Sequence, residues 1–534
     1  MSENTAARSR LEELPDKEDK VIRLVTFNVN GIRTLFHYQP FSQMNQSLVN
    51  VFDYFNADII TFQELKTEKL SISKWGKVDG YYSFISLPTV KKGYSGVGCW
   101  VRMFPDDHPL HDSMKVVKAE EGITGCLSVK NGQEEIRYKD DQNIGIGGYN
   151  SLGYDNESEA LHLDSEGRCV IIELACNMVI ISTYCPANST LTDEGQQFRI
   201  KFLKVLFKRI RNLESMGKKV VLMGDLNICR DLIDQAEALE VNGIRILPET
   251  TGNMIENEYP DLASSFILKP ERVQRRLLNQ IITDSFIADL SKNGCMIDTT
   301  RFIQSKKRLK MYTVWNTLKN TRSINYGSRI DFILLSSGYQ NLIQNANILP
   351  QVMGSDHCPV YLDMKLPTDI ASNIEIKIPR FEARYKYQLT HKNIFEMLKG
   401  TASNADESKV EMAPGFSESS NHSYKMTKGI NKTSSIKSFF KVENKTAKKR
   451  TSLQGREILK RYANINSKRV IVNGQTTLAK VYGLSDAPLC KHGEKCVLKT
   501  SRTSSNYGKK FWACKRPKGE SNNEDSSCDH FEWV

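Results

Sequence analysis

The chain has 534 residues, 40% hydrophobic and 25% charged, a globular balance long enough for more than one folding unit. No run of about 18 apolar residues occurs, which excludes a membrane-spanning helix. The stretch 1–20 lacks the apolar core of a secretory signal and carries acids that a mitochondrial presequence avoids. The net charge of +12 lies wholly in residues 401–534, where 25 Lys+Arg face 13 Asp+Glu. A basic appendage on a neutral body suits a polyanionic partner.

In chain order, residues 1–20 read as a flexible N-terminus and 21–366 as an α/β domain. Short apolar runs rich in β-branched residues predict strands at 21–26, 57–62, 97–101, 169–174, 178–183, 219–223, 330–335 and 360–364. The runs around Ala175-Cys176-Asn177 predict a hairpin. Phe198, Phe202, Leu206, Ile210 and Leu213 recur at three- and four-residue spacing, the buried stripe of an amphipathic helix. Two stretches read as insertions: 131–159, rich in Gly, Asn and Asp, and 232–320, with helical pattern around 271–290 and a basic run at 306–310. Residues 367–485 turn first to Ser, Asn and Glu, then to Lys, Ser and Thr, and read as a mostly disordered basic linker. Order is expected to return in a module at 486–534. Eight cysteines are scattered through the large domain and read as reduced thiols. Cys490, Cys496, Cys514 and Cys528 instead crowd the tail beside His492.

Predicted strands end repeatedly in polar groups: Phe27-Asn28-Val29-Asn30, Gln63-Glu64, Tyr184-Cys185-Pro186, Gly224-Asp225-Leu226-Asn227, Ile330-Asp331 and Ser355-Asp356-His357. One Gly-Asp-Leu-Asn is more often a turn than a site. Six such endings in one domain, rich in oxygen donors with one His, point to a cleft for Mg²⁺ or Mn²⁺, ions that neutralise phosphate charge.

The order of these segments resembles the exonuclease III branch of the endonuclease/exonuclease/phosphatase superfamily over about residues 21–366. Ser355-Asp356-His357-Cys358-Pro359-Val360 is a run shared with lipid and inositol phosphatases. Phe27-Asn28-Val29-Asn30-Gly31-Ile32-Arg33, Asp164-Ser165-Glu166-Gly167-Arg168 and the stretch from Arg322 to Asp331 point to the AP endonuclease arm, with 163–168 matching its type 2 members. The resemblance implies a four-layered α/β sandwich, two packed mixed β-sheets flanked by helices. It also implies a nuclear DNA-repair nuclease, a class II AP endonuclease hydrolysing the phosphodiester 5′ to abasic sites, with 3′–5′ exonuclease and 3′-phosphodiesterase activity.

By the same likeness Glu64 is the central metal ligand, flanked by Asn28 and Asp356, with Asp225, Asn227 and His357 completing the Mg²⁺ or Mn²⁺ site. His357 would contact the scissile phosphate and activate water, steadied by Asp331. Asp225 would be the acid/base carboxylate, Asn227 a phosphate-oxygen donor, Tyr184 a group acting on the phosphate or leaving group, and Arg329 a DNA contact. Asn30 stands where many relatives have Asp. Ser328 stands where the main human-type enzyme has a bulky Trp, and Val314 replaces an aromatic, so the abasic-sugar pocket is expected to be smaller and exonuclease activity relatively strong.

In the tail, a module of about 48 residues needs a structural metal, and thiolate with imidazole selects Zn²⁺. Pro488-Leu489-Cys490, Gly508-Lys509-Lys510-Phe511-Trp512-Ala513-Cys514 and Cys528-Asp529-His530-Phe531-Glu532-Trp533 resemble the GRF-type zinc finger. Carried over, the ligands are Cys490, His492, Cys514 and Cys528, with Cys496 and His530 as alternatives. Lys499, Arg502, Lys509, Lys510 and Phe511 then suit single-stranded DNA, although Phe511, Trp512, Phe531 and Trp533 also offer a small core. In the linker, Ile436, Phe439 and Phe440 resemble a motif that docks on the sliding clamp PCNA, with Thr433 in place of the usual Gln. The run 445–450 suits nuclear import or DNA contact. A phosphatase of the same superfamily shares the metal residues but leaves the tail unexplained. A non-catalytic DNA-binding scaffold leaves Tyr184, His357 and the oxygen donors unexplained.

Overall fold

The computed structural model describes residues 14–89, 93–131, 133–189, 191–367, 377–389, 488–500, 510–516, 526–528 and 530–533. They fall into two compact units, one holding the described residues up to 389 and the other those from 488.

The large unit is built on two six-stranded mixed sheets. The first runs Ile343–Ile348, Val360–Lys365, Val21–Asn28, Ile59–Gln63, Val97–Arg102, Tyr81–Ser86, with the Val21–Asn28 and Ile59–Gln63 strands parallel. The second runs Met296–Asp298, Asp331–Ser336, Lys219–Asp225, Met178–Tyr184, Cys169–Leu174, Val116–Glu121, with the Lys219–Asp225 and Met178–Tyr184 strands parallel. The strands read as continuous apolar runs because both faces are covered, and their period of two divides the residues between layers. In the first sheet Ile22 and Leu24 face the core shared with Val170, Ile172, Val221 and Ile333 of the second. Val25 and Phe27 face the opposite layer, with Phe52 and Phe55. Behind the second sheet, Ile171, Val179 and Leu222 pack on Phe202, Leu206, Ile210 and Leu213. These belong to the helix Asp193–Ser215, whose cap Thr192 accepts the Gly195 N–H and whose first turn carries Asp193 and Glu194. The result is helix, sheet, sheet, helix. Each fully buried side chain of this kind contributes roughly 1.5–3 kcal/mol.

The predicted hairpin is present, with Cys169 opposite Thr183 and Ile171 opposite Ile181. Four strands of the two six-stranded sheets were not legible in the pattern: Tyr81–Ser86, Val116–Glu121, Met296–Asp298 and Ile343–Ile348. They are sheet edges or their neighbours, where polar residues interrupt the apolar alternation. Neither insertion is a plain excursion. The first overlaps a small hairpin, Ser128–Asn131 with Glu134–Arg137, and runs into the helix Glu157–Asp164. The second forms its own core from Leu232, Ile233, Leu239, Ile255, Phe266 and Ile267, and lends the edge strand Met296–Asp298 to the second sheet.

Part of the stretch read as a linker packs on the large unit. Residues 377–389 pack on the Tyr81–Ser86 edge: Phe381 and Ala383 are buried, and the buried Glu382 accepts the Ser83 N–H at 3.2 Å. Lys386 pairs with Glu121 at 2.6 Å. Two apolar residues around one well-satisfied acid are too short a signal to separate from polar flanks. The rest of the linker reading, with Ile436, Phe439 and Phe440, lies outside the described residues.

In the small unit Val497–Thr500, Lys510–Ala513 and Phe531–Trp533 form an antiparallel sheet. Its buried centre is Cys490, Cys496 and Cys514, with Trp512 and Cys528 packed against them.

Candidate active site and zinc module

Register brings the predicted residues of the large unit together. Asp225 ends its strand directly opposite Tyr184 on one side and Asp331 on the other. In the facing sheet Asn28 ends its strand opposite Gln63, just before Glu64. Gly224 makes the approach possible: at φ 143°, a Cβ there would lie 1.9 Å from the Thr183 carbonyl oxygen. Beyond the strand ends the backbone turns left-handed at Asn30, Glu64, Lys66 and Asn227. For Glu64 and Lys66 that is a strained conformation, of the kind that accumulates at functional sites.

The Asn28 amide links the sheets, donating to Glu64 Oε1 at 3.0 Å and to Asp225 Oδ2 at 2.9 Å. His357 Nδ1 lies 2.9 Å from Asp331 Oδ2, which also accepts the Thr313 hydroxyl at 2.6 Å. The other ring nitrogen, Nε2, is 3.9 Å from Asp225 Oδ2. Asn227 donates its backbone N–H to Asp225 Oδ1 at 2.8 Å and its amide to the Cys185 carbonyl at 2.9 Å. Asp356 Oδ1 accepts from Asn30 Nδ2 at 2.9 Å. Lys66 sits 2.7 Å from Glu64 Oε2 and hydrogen-bonds the Asn30 amide oxygen.

Burial, reinforced by the Asp331 carboxylate, pushes Asp225 up to about 7. Burial works against a charged His357, but the Asp331 carboxylate and its hydrogen bond outweigh it and raise the imidazole to about 10. Glu64 resists the same burial because Lys66 and Asn28 hold it ionised, below its ordinary value. The Tyr184 phenol is pushed up, first by burial and then by Glu64 and Asp225. The cluster therefore gathers Glu64, Asp225, Asp331 and Asp356 around Lys66 and His357. That excess of negative charge, on oxygen donors with one imidazole, fits a hard divalent cation.

Arg329 does not join it. It is buried, donating to Asp234 at 2.9 Å and to Asp298 at 2.8 Å, with its guanidinium 4.5 Å from the Phe332 ring centroid. Arg230 and Arg301 complete this interior network. The expectation that Arg329 touches DNA is therefore wrong: two buried carboxylates hold it inside. Three participants were missed. Lys66 had a signal, two residues after Glu64. Thr313 had none, since its role is visible only once Asp331 is beside it. Arg199, which donates to the Asn227 carbonyl, was masked by the helical stripe around it.

In the small unit the donor atoms of Cys490, His492, Cys514 and Cys528 lie within 4.8 Å of one another. Cys490 Sγ and Cys514 Sγ are each 3.6 Å from His492 Nδ1. A zinc tetrahedron with Zn–S of about 2.3 Å and Zn–N of about 2.0 Å spaces its donors by about 3.5–3.8 Å, so the four fit that ion. Phe511, Phe531 and Trp533 cluster at 4.7–5.6 Å on the sheet, with Phe531 53% and Trp533 44% exposed. Lys499 is exposed directly across from Phe511, and Lys510 is exposed beside it. Arg502 and Lys509 lie outside the described residues.

Comparison with known proteins agrees with both geometries. Residues 25–357 match the model of the Endonuclease/Exonuclease/phosphatase family, and 488–534 that of the GRF zinc finger. The chain is 54% identical over 525 residues to DNA-(apurinic or apyrimidinic site) endonuclease 2 of Saccharomyces cerevisiae, covering 98% of each. It is 31% identical to the Schizosaccharomyces pombe protein of the same name, over 93% of this chain and 94% of that one. The crystal structure of the Xenopus laevis APE2 catalytic domain superposes with a TM-score of 0.52 at 25% identity, over 70% of this chain and 99% of that one. The chain thus belongs to the endonuclease/exonuclease/phosphatase family, in its AP endonuclease 2 group, and carries a GRF zinc finger.

Proposed function

We propose that the chain is a nuclear DNA-repair nuclease. It hydrolyses the phosphodiester 5′ to abasic sites and also trims and cleans 3′ ends. The observation that carries this is the meeting of Asp225, the Asp331–His357 pair and Glu64 at the ends of strands from two facing sheets. Mg²⁺ or Mn²⁺ supplies charge neutralisation at the phosphate and a lowered pKa for water. Glu64, with Asn28 and Asp356, holds the ion, and Asp225, Asn227 and His357 border it. Asp331 fixes the His357 ring through Nδ1, leaving Nε2 to face the phosphate. Asp225, at about 7, takes the proton from the attacking water. The Asn227 amide meets a phosphate oxygen, and the Tyr184 hydroxyl meets the phosphate or the leaving group.

Val314 and Ser328 face each other in a two-stranded ribbon, and Val314 bridges to His357. A pocket walled by these two small side chains grips an abasic sugar less selectively, which favours relatively strong exonuclease and 3′-phosphodiesterase work on 3′ ends. In the tail, zinc on Cys490, His492, Cys514 and Cys528 holds a platform of Phe511, Phe531 and Trp533 beside Lys499 and Lys510. Aromatic stacking with basic flanks suits single-stranded DNA. Ile436, Phe439 and Phe440 dock on a PCNA-type clamp.

The test is cleavage of end-labelled duplexes carrying an abasic site or a recessed 3′ end, in Mg²⁺ or Mn²⁺. Wild type is expected to cut both, trimming the recessed end relatively well. Glu64→Ala and His357→Ala are each expected to lose about 10³-fold. Cleavage that survives both changes would contradict the site.

A further inference from the structure

None of the roles above uses Arg168, although it closes the segment Asp164-Ser165-Glu166-Gly167-Arg168. Its side chain is 3% exposed and lies between two tyrosines. The guanidinium carbon is 4.8 Å from the Tyr184 ring centroid and 5.4 Å from that of Tyr94. Nη1 donates to the Tyr184 carbonyl at 3.1 Å, Nη2 to the Tyr94 hydroxyl at 2.5 Å, and Nε to Glu166 at 2.6 Å. The Tyr184 phenol in turn lies beside Glu64.

The segment that presents Arg168 is pinned on both sides. The buried Asp164 carboxylate accepts the backbone N–H groups of Ile123 at 2.6 Å and Thr124 at 3.2 Å. Thr89 donates its N–H to the Ser165 carbonyl at 2.9 Å. Gly167, at φ 61°, presses on the backbone of Leu87 and Pro88, which would lie 2.4 and 2.6 Å from a Cβ there. Only glycine satisfies both the left-handed conformation and that approach. The segment is thus wedged between the loop that follows Tyr81–Ser86 in the first sheet and the strand Cys169–Leu174 of the second. A buried cation with three engaged donors is an expensive way to fill space, since its desolvation must be offset by its contacts. Two of those contacts, one from Nη1 and one through the ring face, fall on Tyr184.

We propose that Arg168 is a positioning residue for phosphodiester cleavage, held by the Asp164–Gly167 wedge and Tyr94 so that its guanidinium fixes the Tyr184 ring against Glu64 and lends positive potential to the phenol. The inference rests on the role assigned to Tyr184. A cation on the ring face favours a hydroxyl that donates firmly to a phosphate oxygen, and the bond to the Tyr184 carbonyl fixes the backbone that carries the ring. The effect falls on the chemical step rather than on substrate capture.

The experiment is a double-mutant cycle on the full chain with Mg²⁺ and an end-labelled abasic duplex, using Arg168→Met, Tyr94→Phe and Tyr184→Phe. Arg168→Met is expected to lower kcat about tenfold with KM held within about twofold, and Arg168→Lys to restore part of the loss. In the Tyr184→Phe background the Arg168→Met loss should shrink below about twofold, because the hydroxyl it serves is gone. Tyr94→Phe removes one hydroxyl at a half-buried position and keeps the cycle readable if Arg168→Met fails to fold. It should lower kcat about two- to threefold and likewise lose its effect beside Tyr184→Phe. An unshrunk loss in an impaired Tyr184→Phe background would overturn the proposal alone. Full activity of Tyr184→Phe by itself would overturn the role of Tyr184, and the proposal with it.

Discussion

The two units solve the same problem with opposite means. The large unit encloses a continuous apolar core between two sheets and a second one beneath the helix Asp193–Ser215. Its metal-binding chemistry can then be spent at strand ends, where oxygen donors border a cleft. Among its described residues the small unit has three short strands, a buried centre of cysteines and an aromatic cluster half open to solvent. Its metal site takes the place of a core. Donor chemistry follows what each ion has to do. Hard, incompletely satisfied oxygen ligands serve where an ion must share itself with phosphate, and a closed sulfur–nitrogen set serves where it only has to hold the chain.

Removing zinc sharpens this contrast most. Chelation, or Cys514→Ser, is expected to abolish order in the tail, a loss of about 10 kcal/mol or more of binding free energy. Hydrogen exchange on the full chain should show lost protection at 488–500 and 510–516 with the first unit unchanged; protection retained in the tail would break the comparison. Arg329→Met leaves Asp234 with Arg301 alone and Asp298 with Arg230 alone in the interior, and should cost about 3–5 kcal/mol in a denaturant titration, with KM little changed once folded. A stable variant with raised KM would mean that Arg329 meets DNA after all. Phe381→Ala should cost about 3–4 kcal/mol, since residues 377–389 belong to the fold; an unchanged midpoint would return them to the linker.

The smallest effect is acid sensitivity. Burial would raise Asp298, but Arg329 and Arg230 hold it down to about 2. Its stabilisation is therefore complete above the ordinary carboxylate value and lost as pH falls through about 2, a matter of roughly 2 kcal/mol. Denaturant midpoints between pH 5 and pH 2 should fall for wild type and fall less for Arg329→Met. Parallel slopes would remove Arg329 as the cause.

Central strands, the hairpin and the long helix were legible in the sequence because burial on both faces leaves an uninterrupted apolar signal. Tyr81–Ser86, Val116–Glu121 and Ile343–Ile348 escaped because edge strands carry polar residues. At the site, Asp225 was legible because it ends a strong strand, and Asp331 and His357 because each stands at or just before the start of one. Arg329 misled for the same reason: it sits in the same motif, yet its partners Asp234 and Asp298 lie 95 and 31 residues away and are invisible without the fold. Thr313 and Tyr94 are of that kind too, defined by what they touch rather than by any local pattern.

Metal add-back separates the two units in a single experiment. The full chain, stripped of metal, is given Mg²⁺ alone and then Zn²⁺, while cleavage of an end-labelled abasic duplex and exchange protection in the tail are followed together. Mg²⁺ is expected to restore cleavage while residues 488–500 and 510–516 stay unprotected, and Zn²⁺ then to order them. Cleavage that stays absent until Zn²⁺ is added would refute the division of one chain into an oxygen-ligated catalytic site and a sulfur-ligated structural one.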